Sequence, residues 1–391
     1  MFAKNRILDS ARQISRHQLT PLAVLAVLLF LAATAGAQAR PRGTLLKGSA
    51  SCATCRLVLL PVATISDTRI SFSALEVFVA SERASGFIIG NSFGEVARYS
   101  AAGSFRSYLG QRGRGPREFL RPFFAALGPA DSVFIADREA RRIAVFGAQG
   151  RPARSLPIGN LFELLLLPDS RIVYSGVGHD PKSGTHSLHL HASNGQHIRS
   201  NGVPSTAAHR PNLVTTARLL APTLDGSFLA ATVRRYTIEL WDTGLNLREV
   251  IVREVQWFPA LADDAPFDLP NRKPMPSTLI GLLGSAQSPT VYPVIRKGAA
   301  KFVADKKLDG ATGELGASQY PTGAALNRYV DTIVEAIDIP SRTVLATNTL
   351  KGGYFPVLGS VTSTGTPLLW RYAESSDGSD QIEIFALRLV R

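Results

Sequence analysis

The sequence has 391 residues, 45% of them hydrophobic, ample for a full core, and its 33 glycines and 24 prolines suit a fold with many turns. No long helical pattern follows residue 40, which argues against a helical architecture. A formal net charge of +13 favours acidic partners such as anionic glycans, phospholipid surfaces or acidic proteins, and the absence of any nucleic-acid motif sets nucleic acid aside.

The first 39 residues read as an export signal. Lys4, Arg6, Arg12 and Arg16 form a basic front, and residues 21–31 form an apolar core too short to span a bilayer well. Ala35-Gly-Ala37 and Ala37-Gln-Ala39 are small-residue cleavage patterns. Cleavage after Ala37 or Ala39 implies a periplasmic or extracellular protein with no transmembrane segment left; an uncleaved anchor is the alternative. Four basic residues less Asp9 give this segment +3, leaving +10 for the remainder. Residues 40–51 are expected to be a short tether before a domain over 52–391. Cys52 and Cys55, the only cysteines, stand in Cys-Ala-Thr-Cys. In an exported protein this predicts a short-loop disulfide. Arg56 stands where a c-type haem would need His, zinc would need two further ligands, and a thioredoxin-like role would need a βαβ setting.

Next comes a strand over residues 56–65 with nothing local to pair with. Short strands then follow in groups of four, near 75–80, 87–91, 95–99 and 105–109, and again from 123 to 158. A third group starts at 162, with strands near 171–177, 187–191 and 197–201. A fourth runs from 216 to 255, with strands near 228–233, 237–241 and 247–253. The fifth is irregular: strands near 279–284, 291–295, 329–339 and 343–350 are separated by polar, Pro- or Gly-containing insertions at about 256–277 and 301–325. A last group has strands near 355–361, 368–372 and 381–387.

These groups repeat. Tyr99, Phe146, His191, Trp241, Ile337 and Phe385 mark corresponding strands, about 45–50 residues apart except for one interval about twice that. Such a period in an all-β chain predicts a β-propeller. The insertion region holds too few apolar runs for an extra blade, so six blades are expected, with seven as the alternative. The unpaired 56–65 strand then becomes the outermost strand of the C-terminal blade and closes the ring, and Pro61 suits that edge. The stretch Val133-Phe-Ile-Ala-Asp-Arg-Glu-Ala-Arg-Arg-Ile-Ala-Val-Phe-Gly-Ala-Gln-Gly150 resembles the NHL-type propeller repeat, with Val133, Ala136, Asp137, Arg142, Ile143, Val145, Phe146 and Gly150 matching and Ala140 standing where that repeat prefers Asn. Gly110-Gln-Arg-Gly-Arg-Gly-Pro-Arg-Glu-Phe119 and Asn327-Arg-Tyr-Val-Asp-Thr-Ile-Val-Glu335 resemble segments of bacterial secreted six-bladed β-propeller proteins. The resemblance covers roughly residues 52–391 and implies the fold far more than a function.

In a propeller, the links between blades and the turns between second and third strands share one face. Here that face gathers Arg112, Arg114, Arg117, Arg121, Arg138, Arg141, Arg234 and Arg235. Arginine pairs with carboxylate or phosphate in bidentate fashion, so an anionic ligand is expected there, the competing reading being surface ion pairs with Glu118 and Glu139. Six of the seven histidines lie between residues 179 and 209, and His189 and His191 share a strand face. Partly buried structural imidazoles are expected there, with a metal site as the alternative. Gly90-Asn-Ser-Phe-Gly94 fits the nucleophile-elbow pattern, but a strand follows it rather than a helix. The expectation is therefore a monomeric, non-catalytic binding module of the cell envelope, without cofactor, whose partner is a protein or an anionic glycan or small molecule. The alternative is a metal-dependent hydrolase or lyase on the same fold, of lactonase or amidating-lyase type.

Overall fold

A computed structural model of the chain describes residues 42–66, 69–72, 76–82, 86–177, 186–202, 217–258, 277–298, 323–359 and 365–391. The first 41 residues, which include the segment read as an export signal, and most of both insertions lie outside the described residues. The protein is an all-β, six-bladed β-propeller. Two strands precede the first blade, β1 (Arg42–Leu46) and β2 (Arg56–Ile65). Blade I is β3 (Val77–Glu82), β4 (Gly86–Asn91), β5 (Val96–Ser100) and β6 (Phe105–Arg112), with the two-residue β7 (Glu118–Phe119) beside β6. Blade II is β8 (Pro122–Leu127), β9 (Val133–Asp137), β10 (Arg142–Phe146) and β11 (Pro152–Pro157). Blade III is β12 (Asn160–Leu166), β13 (Ile172–Val177), β14 (Leu188–His191) and β15 (His197–Asn201). Blade IV is β16 (Arg218–Pro222), β17 (Phe228–Thr232), β18 (Thr237–Trp241) and β19 (Leu247–Arg253). Blade V is β20 (Thr278–Ser285), β21 (Ser288–Gly298), β22 (Val330–Asp338) and β23 (Thr343–Lys351). Blade VI is β24 (Tyr354–Pro356), β25 (Leu368–Glu374) and β26 (Asp380–Val390), with β2 as its outermost strand.

Each blade buries both faces against its neighbours, so its middle strands are apolar throughout rather than alternating. Strands β4 and β9 are buried at every residue, whereas the outer strand β11 buries only Leu156. The core is six wedges, one between each pair of blades. Ile88, Phe119 and Phe146 fill the wedge between blades I and II, and Ile143, Leu164 and Tyr174 the next. Leu190, Phe228 and Trp241 lie between blades III and IV, and Tyr236, Ile251 and Ile295 between IV and V. Val334 and Leu369 join V to VI, and Ile65, Tyr99 and Trp370 join VI to I.

The regular offset after each third strand has a backbone cause. Gly103, Gly150 and Gly195 occupy the left-handed region at φ 89°, 73° and 89°, where a side chain is disfavoured. In blade IV the equivalent position, four residues after Trp241, is Leu245 at φ 59°, and Gly244 is its neighbour. Leu245 is fully buried in the wedge between blades III and IV, and that packing opposes the cost of its backbone conformation.

The ring closes as the unpaired strand predicts. β2 runs antiparallel to β26 from Arg56 opposite Val390 to Ile65 opposite Ile382, with a bulge at Pro61–Ala63. Near the axis, Leu358 links blade VI to blade I: its N–H donates to Val79 O (2.7 Å) and its carbonyl accepts from Ser81 N–H (3.0 Å).

The expected tether over 40–51 is corrected. Residues 42–46 form β1, which pairs in parallel with β19 as a fifth strand on blade IV. Leu46 enters the wedge between blades IV and V, and its carbonyl accepts from Glu254 N–H. Ser51 N–H then donates to Val344 O at 2.7 Å on the outer strand of blade V. The N-terminal segment is thus a strap over the rims of blades IV, V and VI. Cys52 and Cys55 are disulfide-bonded within it, where it passes from blade V to blade VI, and Cys55 packs on the wedge between them.

Candidate functional site

Because the strands of each blade alternate in direction, the blade-to-blade links and the turns between second and third strands emerge together. Among the described residues this face carries the 110–121 link and the turns over 92–95, 138–141 and 233–236. On the opposite face the described turns over 101–104, 147–151, 192–196 and 242–246 are short.

On blades I and II the face is built around Phe119 and Asp137. Phe119, fully buried, plugs the link from blade I, and a Cβ on Gly110 would come within 2.3 Å of its ring, so only glycine fits there. Asp137 is fully buried and accepts from the N–H groups of Leu120 (2.8 Å), Arg121 (3.0 Å) and Ala140 (3.1 Å). One carboxylate thereby fixes both the incoming link and the β9–β10 turn, and with them the positions of Arg121 and Arg138.

Those two guanidinium groups converge on Glu76, just before β3. Arg121 donates through Nε and Nη2 in a bidentate pair (3.1 Å each), and Arg138 donates through Nη1 at 3.3 Å. Arg138 also lies over the ring of Phe123 on the innermost strand β8, 4.2 Å from its centroid. Burial pulls Arg138 below its ordinary pKa; Glu76 opposes that and Arg121 adds to it. Of the other arginines singled out, Arg112 and Arg114 are exposed on the same link. Arg117 folds back to donate to the carbonyls of Tyr108 and Leu109. Arg141 is exposed in the β9–β10 turn. Arg234 and Arg235 lie two blades further round, in the β17–β18 turn, Arg234 buried and Arg235 exposed. The structure therefore brings together Arg121 and Arg138, with Arg112, Arg114 and Arg117 beside them, and sets Arg234 and Arg235 apart. Glu76 was not legible as a partner, because it stands alone before a strand.

His189 and His191 lie on β14, stacked on Tyr174 at 4.7 and 5.1 Å between centroids, with His197 edge-on to His191. Both ring nitrogens of His189 are engaged, Nδ1 with Ser200 Oγ (2.8 Å) and Nε2 with Gly176 O (3.3 Å). His191 Nδ1 meets Gly195 O at 2.9 Å. Among the described residues no three His, Cys, Asp or Glu side chains are placed to hold a metal ion. Ser92 sits in the turn between β4 and β5, with a strand on either side. His179 and His209 lie outside the described residues.

The stacked histidines predict a pH dependence. Burial pushes His189 down to about 4, and the neighbouring imidazoles add to the shift against the Gly176 carbonyl; burial also lowers His191. The folded state then binds fewer protons than the unfolded chain between pH 6.5 and about 4. Stability is full above that window and falls as pH drops through it, by about 1.4 kcal/mol per unit and about 3 kcal/mol in all from His189. Urea unfolding of a His189→Phe variant should show a shallower loss over the same window. An unchanged slope would rule out His189 as the source.

Searches of protein-family models and of curated proteins find no match. Solved structures do match. A Bacteroides fragilis protein, named as a candidate exported protein, aligns with a TM-score of 0.56 at 11% identity over 89% of this chain and 99% of its own. A member of the DUF4221 family from Bacteroides vulgatus aligns with a TM-score of 0.55 at 9% identity over 86% and 99%. These likenesses concern the fold. A gluconolactonase from Xanthomonas campestris aligns at 12% identity over 86% and 91% with a TM-score of 0.46, too low to bear on activity.

Proposed function

We propose that the protein is an exported, non-catalytic binding module that takes an anionic ligand on blades I and II, on the face formed by the blade-to-blade links and the turns between second and third strands. One observation carries this reading. The 110–121 link, the 137–142 segment and Glu76 place seven arginines against four carboxylates, and one of those carboxylates, Asp137, is consumed by backbone N–H groups. The excess positive charge is clustered, and Arg138 sits on an aromatic face beside the ring axis, a setting for a bidentate contact with carboxylate, sulfate or phosphate. Export is supported by the basic front and small-residue cleavage patterns of the first 39 residues and by a disulfide, which persists in oxidising compartments. Among the described residues no helix is long and apolar enough to cross a membrane.

The test is retention on a heparin matrix in a salt gradient. Arg112→Ala with Arg114→Ala, and separately Arg138→Ala, should elute at clearly lower salt than the wild type. Arg151→Ala is the control, because it removes the same charge from the opposite face of blade II. If the control elutes as early as Arg138→Ala, overall charge explains retention and the site is refuted.

A further inference from the structure

The arginine pair on blades I and II already holds an anion, and that anion belongs to the chain itself. Glu76 stands immediately before β3, the innermost strand of blade I. Its carbonyl accepts the Ser92 N–H at 2.9 Å, which ties its backbone to the β4–β5 turn. Its carboxylate reaches across the seam to blade II. Oε2 accepts Arg121 Nε–H (3.1 Å), and Oε1 accepts both Arg121 Nη2–H (3.1 Å) and Arg138 Nη1–H (3.3 Å). Two cations thus share one carboxylate, and among the described residues neither has a second carboxylate partner.

The cations do not depend on Glu76 for their placement. Arg138 N–H donates to Arg121 O at 3.1 Å, and Asp137 fixes the N–H groups of Arg121 and Ala140, so blade II sets both backbones. The Arg138 side chain is further positioned by the ring of Phe123 beneath it. Among the described residues the Glu76 carboxylate, by contrast, is hydrogen-bonded to these two guanidinium groups alone. The side chains of Glu76, Arg121 and Arg138 are 35%, 44% and 27% exposed, so solutes can reach all three. Ion pairs at such exposure return little, and exchanging Glu76 for another anion costs correspondingly little. A two-pronged guanidinium contact that is filled, solvent-accessible and weakly held is an anion site with an occupant.

We propose that Glu76 is a built-in competitor of this site: its carboxylate stands where the ligand's anionic group goes, and the ligand binds by displacing it. The inference rests on the reading that blades I and II take an anionic ligand, and adds how that site is regulated and which ligands it selects. A lone carboxylate or sulfate group gains little, because it replaces one anion by another on the same two cations. A chain carrying several anionic groups releases Glu76 once and also reaches Arg112 and Arg114, exposed on the same link. The site accordingly favours a repeated-charge chain over a single anion.

The test compares Glu76→Gln with Asp169→Asn on the heparin matrix. Asp169 pairs with Arg171 at 2.6 Å in the β12–β13 turn on the opposite face, so both substitutions remove one carboxylate charge and release an arginine. Glu76→Gln should elute at higher salt than both the wild type and Asp169→Asn, and should bind a heparin tetrasaccharide in solution at least threefold more tightly than the wild type. Elution before the wild type would show that Glu76 supports the arginines instead of competing for them. Elution together with Asp169→Asn would reduce the effect to net charge. Either result overturns the proposal. The wild-type chain supplies a second readout. With 13C at the glutamate carboxyls, the tetrasaccharide should move the Glu76 signal, assigned by its absence in Glu76→Gln, saturably toward the position of a free carboxylate. A signal unmoved at saturation means that Glu76 is not displaced, and the proposal fails. If Arg138→Ala keeps wild-type retention, the anion site itself is refuted; if Arg138→Ala weakens retention while Glu76→Gln does not strengthen it, the site stands and only the competition falls.

Discussion

A chain shortened to begin at Arg69 is expected to lose the cooperative unfolding of the full domain and to associate. The deletion removes β2, the outermost strand of blade VI, and exposes the edge of β26 over its long ladder. It also removes Leu57 from the wedge between blades V and VI and Ile65 from the wedge between VI and I, both buried. Two such losses cost roughly 2–5 kcal/mol each as cavities. Their sum is comparable with a typical total stability of about 5–15 kcal/mol. The freed edge is a template for pairing with another copy. Urea unfolding followed by tryptophan fluorescence, together with sedimentation velocity, measures both effects. A synthetic peptide spanning residues 42–66 should restore the monomer by re-forming the β2–β26 ladder. A truncated chain that stays monomeric with an unchanged midpoint would show that the ring is held elsewhere. Removing only residues before Ser49 is the milder case, since it takes away β1 and leaves the closing strand in place.

Closure was legible because residues 56–65 form a strong strand with no local partner, and a propeller offers such a strand one place to go. The blades were legible for a related reason: an apolar strand end, a left-handed residue four positions on and a period in the forties repeat even where the residue type changes, as at Leu245. Asp137 was visible as the acidic residue of the NHL-like motif, and its three backbone N–H partners give that motif a physical reason.

What was not legible depended on distant partners. β1 is five residues, Arg-Gly-Thr-Leu-Leu, without alternation, and its parallel partner β19 lies some two hundred residues away in sequence. Glu76 becomes an arginine partner only once blade II is packed on blade I. The arginines and their division between the first two blades and the fourth could be read from sequence, but the convergence of Arg121 and Arg138 on Glu76 could not.

Glu335→Ala is expected to be the most destabilising single substitution in the domain, at roughly 3–5 kcal/mol, because it strands a buried cation. Glu335 on β22 and Arg253 on β19 are both buried, with side-chain exposures of 0% and 2%. Every lone-pair direction of the carboxylate is used. Oε2 accepts the Tyr236 hydroxyl (2.7 Å) and Arg253 Nε–H (3.1 Å), and Oε1 accepts Arg253 Nη2–H (2.9 Å) and the Thr347 hydroxyl (3.1 Å). Arg253 Nη1 reaches toward the carbonyl of Leu46 at 3.5 Å, bringing the strap into the same network. Burial works to lower the Arg253 pKa, but the Glu335 carboxylate overrides it and the net shift is upward. Tyr236 is pushed well above its ordinary value by burial and then by the Glu335 charge, so the phenol stays a donor. Alanine at 335 removes the only carboxylate on Arg253 among the described residues and leaves the Tyr236 and Thr347 hydroxyls without their acceptor. The double variant Arg253→Met, Glu335→Leu fills the same space with apolar atoms and should regain most of the loss, as buried ion pairs generally cost nearly as much in desolvation as they return. Urea midpoints of wild type, Glu335→Ala and the double variant decide the matter. If Glu335→Ala unfolds within about 0.5 kcal/mol of wild type, the network is not what joins blades IV and V, and the apolar wedge around Ile251 and Ile295 holds them without it.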